Sequence, residues 1–268
     1  MTLKLGIIGH GFVGKAVDHG FTKDIEKFIV DPAFNNVTIK DTIKAGVQTF
    51  FICVPTPSNK EGSIDTSIVE SVLQEIAVSG SSPLVILKST ITPDELILIE
   101  QKYDSLRIVY NPEFLTEENH LHDFINPSQQ IFGGKKEYTL LVEALYARHS
   151  ECRECPVVHT DLQSSSLVKY TMNTFLAMKV IYFNQMYDLF QHTEPEASWE
   201  AFIQMIAIDP RMGESHMMVP GNDGRRGFGG SCFPKDTEAL IECAKKQGQS
   251  FSVLEKTIEV NQQLRGDG

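Results

Sequence analysis

The chain has 268 residues, with 24 Lys and Arg against 35 Asp and Glu, a formal net charge of -11 and a pI near 5.2. That balance argues against non-specific nucleic-acid binding and against docking on an anionic membrane, while the length is ample for one large or two modest domains with a real core. No apolar run approaches the roughly 20 residues that span a bilayer, and the first strand is expected almost at Met1, leaving no room for a signal peptide.

Lys4 to Gly9 reads as a short apolar strand, and a glycine turn, Gly9-His10-Gly11-Phe12-Val13-Gly14, leads into a helix ending near His19. Phe28 to Asp31 is the second strand. Further apolar runs follow at Thr49 to Val54, Leu84 to Lys88, Arg107 to Tyr110 and Gln130 to Phe132. Helical patterns lie between several of them, over Thr66 to Ser79, Pro93 to Tyr103 and Lys135 to Arg148. Strands that are apolar throughout and alternate with amphipathic helices predict a doubly wound parallel sheet covered on both faces. Near Asp161 the pattern changes: Asp161-Leu162-Gln163-Ser164 can cap a helix running to about Gln191, and no convincing strand follows. Ser198 to Ile208, Thr237 to Lys246 and Ser252 to Leu264 look helical, the last cut off by Arg265-Gly266-Asp267-Gly268. The expected organisation is an α/β Rossmann domain over residues 1–160 and an all-α domain over 161–268.

Gly9, Gly11 and Gly14 fit G-x-G-x-x-G between a strand and a helix. The first glycine permits the tight turn, the second admits a pyrophosphate, and the third lets helix pack on strand. Asp31 stands at the end of the next strand, where a carboxylate binds ribose hydroxyls and repels a 2'-phosphate, so NAD is expected rather than NADP. The alternative for Asp31 is a turn-forming residue before Pro32.

The odd count of cysteines (Cys53, Cys152, Cys155, Cys232 and Cys243) reads as reduced thiols of a cytoplasmic protein. Cys152 and Cys155 have metal-ligand spacing but form a lone pair, so no metal is expected. His120 and His122 read as solvated loop histidines. Cys232 lies in Gly227-Phe228-Gly229-Gly230-Ser231-Cys232-Phe233-Pro234-Lys235-Asp236. Glycines let backbone amides approach a ligand, and an ammonium and a helix start beside a thiol lower its pKa. With a nicotinamide cofactor, such a thiol points to an oxidation through a covalent thioester. The alternative for Cys232 is a small buried apolar residue.

These segments, together with Val54-Pro55-Thr56-Pro57, Lys88-Ser89-Thr90, Asn111-Pro112-Glu113-Phe114-Leu115, and Lys169 with Asn173, occur in the order seen in the UDP-glucose/GDP-mannose dehydrogenase family, which the chain resembles over almost its whole length. The resemblance implies four-electron oxidation of a nucleotide-sugar C6 alcohol to a uronic acid, UDP-glucose first among the substrates, with two NAD per turnover. It also implies that the helical domain makes a homodimer. On this resemblance Cys232 is the nucleophile, Lys169 takes or returns the C6 hydroxyl proton and stabilises the oxyanion, Asn173 donates to the same oxygen, and Asp236 with Thr90 organises the hydrolytic water, with Glu113 as base. Gly9, Gly11, Phe12, Val13, Gly14, Asp31, Val54, Pro55, Thr56, Thr90, Glu117 and Lys235 would line the cofactor. Glu113, Phe114, Leu115, Lys169, Asn173, Gly227, Phe228 and Gly229 would line the sugar nucleotide. Arg211 matches an arginine that family members extend into the neighbouring subunit's site, and Arg225 or Arg226 could reach a phosphate.

Two departures stand out. Family members continue into a second Rossmann-like domain that binds the nucleotide, whereas this chain stops in the helix leading there. Relatives also often carry an arginine after a proline where this chain has Asn126-Pro127-Ser128. A β-hydroxyacid dehydrogenase, with one oxidation and no thiol, and a non-catalytic NAD-binding homologue are the alternative readings.

Overall fold

The computed structural model describes residues 2–78, 80 and 82–266. Two compact units are distinguished: residues up to 59 with 64–169, and residues 60–63 with those from 170 onward.

The first unit is a seven-stranded sheet in the order β2-β1-β3-β4-β5-β6-β7. Its strands are β1 (Leu3–Ile8), β2 (Ile25–Val30), β3 (Thr49–Ile52), β4 (Leu84–Leu87), β5 (Arg107–Tyr110), β6 (Gln130–Gly134) and β7 (Val157–Thr160). Helices α1 (Phe12–Gly20), α2 (Ile39–Lys44), α3 (Ser67–Ala77), α4 (Pro93–Lys102), α5 (His120–Ile125) and α6 (Lys136–His149) connect them. The expected end of α3 at Ser79 lies outside the described residues. All four residues of β3 and of β4 are buried, because helices cover both faces of the central sheet. Phe50, Phe51, Val85 and Ile86 are fully buried, each contributing about 1.5–3 kcal/mol of transfer free energy. β1 is flanked by β2 and β3, so the chain reverses its winding there and opens a crevice at the carboxyl ends of those strands.

The sheet is not parallel throughout. β5 and β6 are antiparallel, while β1 to β5 pair in parallel and β6 with β7 in parallel. An antiparallel return needs no crossover helix. The connection from Asn111 to Gln129 therefore stays at the carboxyl edge of the sheet, where a ligand-binding loop is useful. The sequence pattern missed α2, α5 and β7, all short and of weak periodicity. His120 and His122 sit on α5 rather than in a loop; His120 Nδ1 is 2.8 Å from the Glu117 carbonyl.

Helix α7 (Leu162–His192) is 31 residues long. Asp161 caps it, accepting from the Ser164 amide at 2.7 Å and the Ser164 hydroxyl at 2.7 Å. The sequence boundary at residue 160 marks the start of this helix; the compact units part inside it, after Lys169. The second unit adds α8 (Trp199–Ala207), α9 (Phe233–Lys246) and α10 (Ser252–Arg265). Phe183, Trp199, Ile203, Met217 and Val219 form one buried cluster; Ala177, Ile181 and Phe228 form another. Helix α9 begins four residues earlier than the sequence pattern indicated, since Pro234 is tolerated in a first turn where its missing N–H costs nothing. No helix among the described residues is long and apolar enough to cross a membrane.

Candidate active site

In the first unit, β1 ends at Ile8 and the glycine loop turns into α1. Gly9 has φ +86°, which a side chain would strain. A Cβ on Gly14 would stand 2.0 Å from the Gly9 carbonyl oxygen, so only glycine lets helix and strand approach this closely. A Cβ on Gly11 would meet nothing within 4 Å, which marks open space above the loop. Phe12 opens α1 and Val13 packs against the core below it. No side chain caps this helix N-terminus, leaving its amides for an anion. Asp31, one residue past β2, accepts from the His10 amide at 2.6 Å and the Ala33 amide at 2.8 Å. The carboxylate is thereby fixed beside the loop. An open cradle over the second glycine, unclaimed helix amides and an anchored acid fit a dinucleotide.

The ends of β3, β4 and β5 supply the next layer. Val54 is buried and its carbonyl accepts from Ser89 Oγ at 2.6 Å. Pro55 is exposed, and the buried Thr56 donates to the Thr90 carbonyl at 2.8 Å. Glu113 and Lys169 form a buried ion pair at 2.7 Å, and the same Lys169 Nζ donates to the Glu113 carbonyl at 2.6 Å. The other Glu113 oxygen accepts from the Leu115 amide at 2.7 Å, and the ammonium lies 5.6 Å from the centre of the Phe114 ring. Burial pushes the Glu113 carboxyl up. The Lys169 charge and hydrogen bond, the Leu115 amide and the Lys88 charge outweigh it and hold the carboxyl below its usual range. Glu113 is thus an anion with a buried cation attached, able to stabilise or relay charge at a reacting oxygen. Glu117 lies exposed on the loop that follows.

In the second unit, Cys232 is the N-cap residue of α9 and is half-buried. The Cys232 carbonyl accepts from the Asp236 amide at 2.8 Å, which ties the thiol-bearing residue to the first helical turn. Asp236 is buried, with one oxygen accepting from Asn173 Nδ2 at 2.6 Å and the other from Lys235 Nζ at 2.7 Å. Lys235, expected on a cofactor or substrate phosphate, is here the partner of Asp236. The glycine segment before Cys232 is held by two asparagines that the sequence reading did not single out. Asn184 accepts from the Gly227 amide at 3.1 Å; Asn261 accepts from the Phe228 amide at 2.7 Å and donates to its carbonyl at 3.0 Å. Gly227 has φ +70° and a Cβ there would stand 2.4 Å from Asn261 Oδ1. A Cβ on Gly229 would stand 2.9 Å from Arg265 Nη2. Arg226 donates to the Asn184 carbonyl at 2.9 Å and pairs with Asp188 at 2.8 Å. Arg211, with a side chain 87% exposed, is held by Asp209.

The other cysteines differ in kind. Burial pushes the Cys53 thiol up to about 12, which makes it inert. Cys152 donates to the Phe124 carbonyl at 3.1 Å, and burial raises it as well. Among the described residues no cluster of three metal-ligating side chains occurs.

Residues 31–150 match the NAD binding domain of the UDP-glucose/GDP-mannose dehydrogenase family, and residues 163–263 match its central domain. UDP-glucose 6-dehydrogenase TuaD of Bacillus subtilis is 30% identical over 258 residues, covering 92% of this chain and 53% of that protein. A solved UDP-glucose dehydrogenase from Pyrobaculum islandicum superposes with a TM-score of 0.79 at 23% identity, covering 98% of this chain and 68% of that one. The 3-hydroxyisobutyrate dehydrogenase of Mycobacterium tuberculosis shares the fold with a TM-score of 0.73 at 15% identity, over 100% of this chain and 95% of that one. The chain spans about half to two thirds of the length of the curated relatives it matches.

Proposed function

Because the chain belongs to the UDP-glucose/GDP-mannose dehydrogenase family, we propose that it oxidises the C6 alcohol of a nucleotide sugar to the acid, with UDP-glucose as substrate and Cys232 as covalent nucleophile. The observation that carries this reading is the placement of Cys232 at the start of α9 with Asp236 fixed one turn on by Asn173 and Lys235. NAD, when bound over Gly9, Gly11 and Gly14, supplies the hydride acceptor, twice per turnover.

The residues then divide the work. Lys169 takes or returns the C6 hydroxyl proton and stabilises the negative charge that develops on that oxygen, and Glu113, bonded to the same side chain, serves as base in the later hydrolysis. The alcohol loses a hydride and a proton and becomes an aldehyde. An aldehyde carbon gives up no second hydride until a nucleophile adds, so the Cys232 thiolate forms a C–S bond and the aldehyde oxygen takes a proton. Loss of a hydride and a proton from this thiohemiacetal leaves a thioester. Water, oriented by Asp236 and Thr90, breaks the C–S bond and returns the thiol and the uronic acid. Asn173 donates to the C6 oxygen, one helical turn from Lys169 on α7. Asp31 selects NAD by repelling a 2'-phosphate, and Val54, Pro55, Thr56 and Glu117 line the nicotinamide half. Phe114, Leu115, Gly227, Phe228 and Gly229 line the sugar nucleotide. Arg211 reaches the site of a second copy in a homodimer.

The test is incubation with NAD and, in turn, UDP-glucose, GDP-mannose and a UDP-amino sugar, with NADH counted against sugar consumed. Two NADH per UDP-glucose are expected. One per sugar would replace the proposal with a single oxidation of the β-hydroxyacid type. None, with NAD bound, would make the chain a non-catalytic homologue.

A further inference from the structure

Beneath the loop that carries Glu113, the first unit holds a cavity of about 290 Å³ whose wall includes Lys88, Asn111, Phe114, Asp123, Phe124 and Tyr146. Three of these are polar side chains buried to nine tenths or more: Lys88, Asn111 and Tyr146. They form one network. Lys88 Nζ donates to Asn111 Oδ1 at 3.0 Å and to the Asn111 carbonyl at 3.2 Å, and the Tyr146 hydroxyl donates to the same Oδ1 at 2.7 Å. Asn111 Nδ2 is taken by the Ile131 carbonyl at 3.0 Å.

Counting donors and charges gives the inference. An ammonium has three N–H donors, and Asn111 takes two. Among the described residues no carboxylate pairs with Lys88. The neighbouring acid, Glu113, is bonded to Lys169 and to the Leu115 amide. Further compensation comes from the Phe124 ring, its centre 5.7 Å from Nζ, and from the Glu113 carboxylate acting without a direct bond. A buried charge without a directly bonded counter-charge is costly, and burial, outweighing the Glu113 charge, lowers the Lys88 pKa to about 8. Asp123 is already engaged: one oxygen accepts from the Thr116 amide at 2.9 Å and the Thr116 hydroxyl at 2.7 Å, and the other lies 3.6 Å from His122.

We propose that this cavity binds a small monocarboxylate, whose oxygen takes the third Lys88 N–H and whose carbon lies against Phe124. A single negative charge completes the pairing of Lys88; a dianion would add repulsion from Asp123. The site is separate in its residues from the glycine loop and from Cys232, and it does not rest on the activity proposed above.

The experiment is an NMR titration of the full chain with acetate, with neutral acetamide and with inorganic phosphate as comparison probes. Acetate should saturate and shift the ring resonances of Phe124 and Tyr146, with an affinity at least ten-fold above that of either other probe. Lys88→Gln, checked for folding by circular dichroism, should lose that binding at least ten-fold. Equal binding of acetamide would overturn the charge argument and equal binding of phosphate the choice of a monocarboxylate. No ring shifts, or an adventitious anion effect that persists in Lys88→Gln, would remove the site. If Lys88→Gln does not fold, the acetate and acetamide arms decide alone.

Discussion

The two units hold their chemical groups by different means. In the first, a buried ion pair, Glu113 with Lys169, is clamped by backbone groups at the carboxyl edge of a sheet. In the second, the segment before Cys232 is irregular backbone, and neutral amides of Asn184 and Asn261 supply the hydrogen bonds that a strand or helix would have supplied. A charged clamp resists loss of one member strongly, because the survivor is stranded without water. A neutral clamp loses less, and loses it locally.

Breaking the charged clamp should therefore give the largest effect. Lys169→Met strands the Glu113 carboxylate and should cost about 3–5 kcal/mol in urea unfolding. Adding Glu113→Gln should recover most of it. A single-variant loss below about 1 kcal/mol would show the pair to be solvated. The Glu113 carboxyl is depressed in the native state, so its stabilisation is present above the ordinary carboxyl pKa of 4.5 and is lost as pH falls through the lower native value. Glu113→Gln should flatten that part of the acid unfolding curve.

Asn261→Ala comes next. It strips the Phe228 amide and carbonyl of their partner and should cost about 1–3 kcal/mol, with NAD affinity unchanged. An unaltered melting temperature would mean that water replaces the side chain. Asp31→Ala should weaken NAD about ten-fold, roughly 1.4 kcal/mol, by calorimetric titration, and should leave UDP-glucose binding as it was. Equal losses for both ligands would remove its assignment to the ribose. Arg211→Ala should change stability by under about 0.5 kcal/mol, since an exposed pair contributes little. A fall in sugar oxidation without a fall in stability would support its reach into a second copy.

The same contrast explains what the sequence made legible. β3, β4 and β5 were readable because buried parallel strands are apolar throughout, and the glycine loop because only glycine satisfies its geometry at Gly9 and Gly14. The antiparallel turn of β6 was not, since strand direction leaves no mark on so short a strand. Asn184, Asn261 and the Lys88–Asn111–Tyr146 network escaped notice because their partners are distant in sequence and no spacing rule links them. The start of α9 was placed too late because a proline after Cys232 resembles a loop, although a first turn accepts it. The Glu113–Lys169 bond joins two residues that the family resemblance had already picked out, but without indicating that they touch.

The central claim is a C–S bond between Cys232 and the sugar's C6. It is tested most directly by acid-quenching the chain during turnover with UDP-glucose and NAD, then weighing the peptide that contains Cys232. An acyl adduct on that peptide, absent from Cys232→Ala, is predicted. Uronic acid accumulating with no adduct, and forming undiminished in Cys232→Ala, would contradict it.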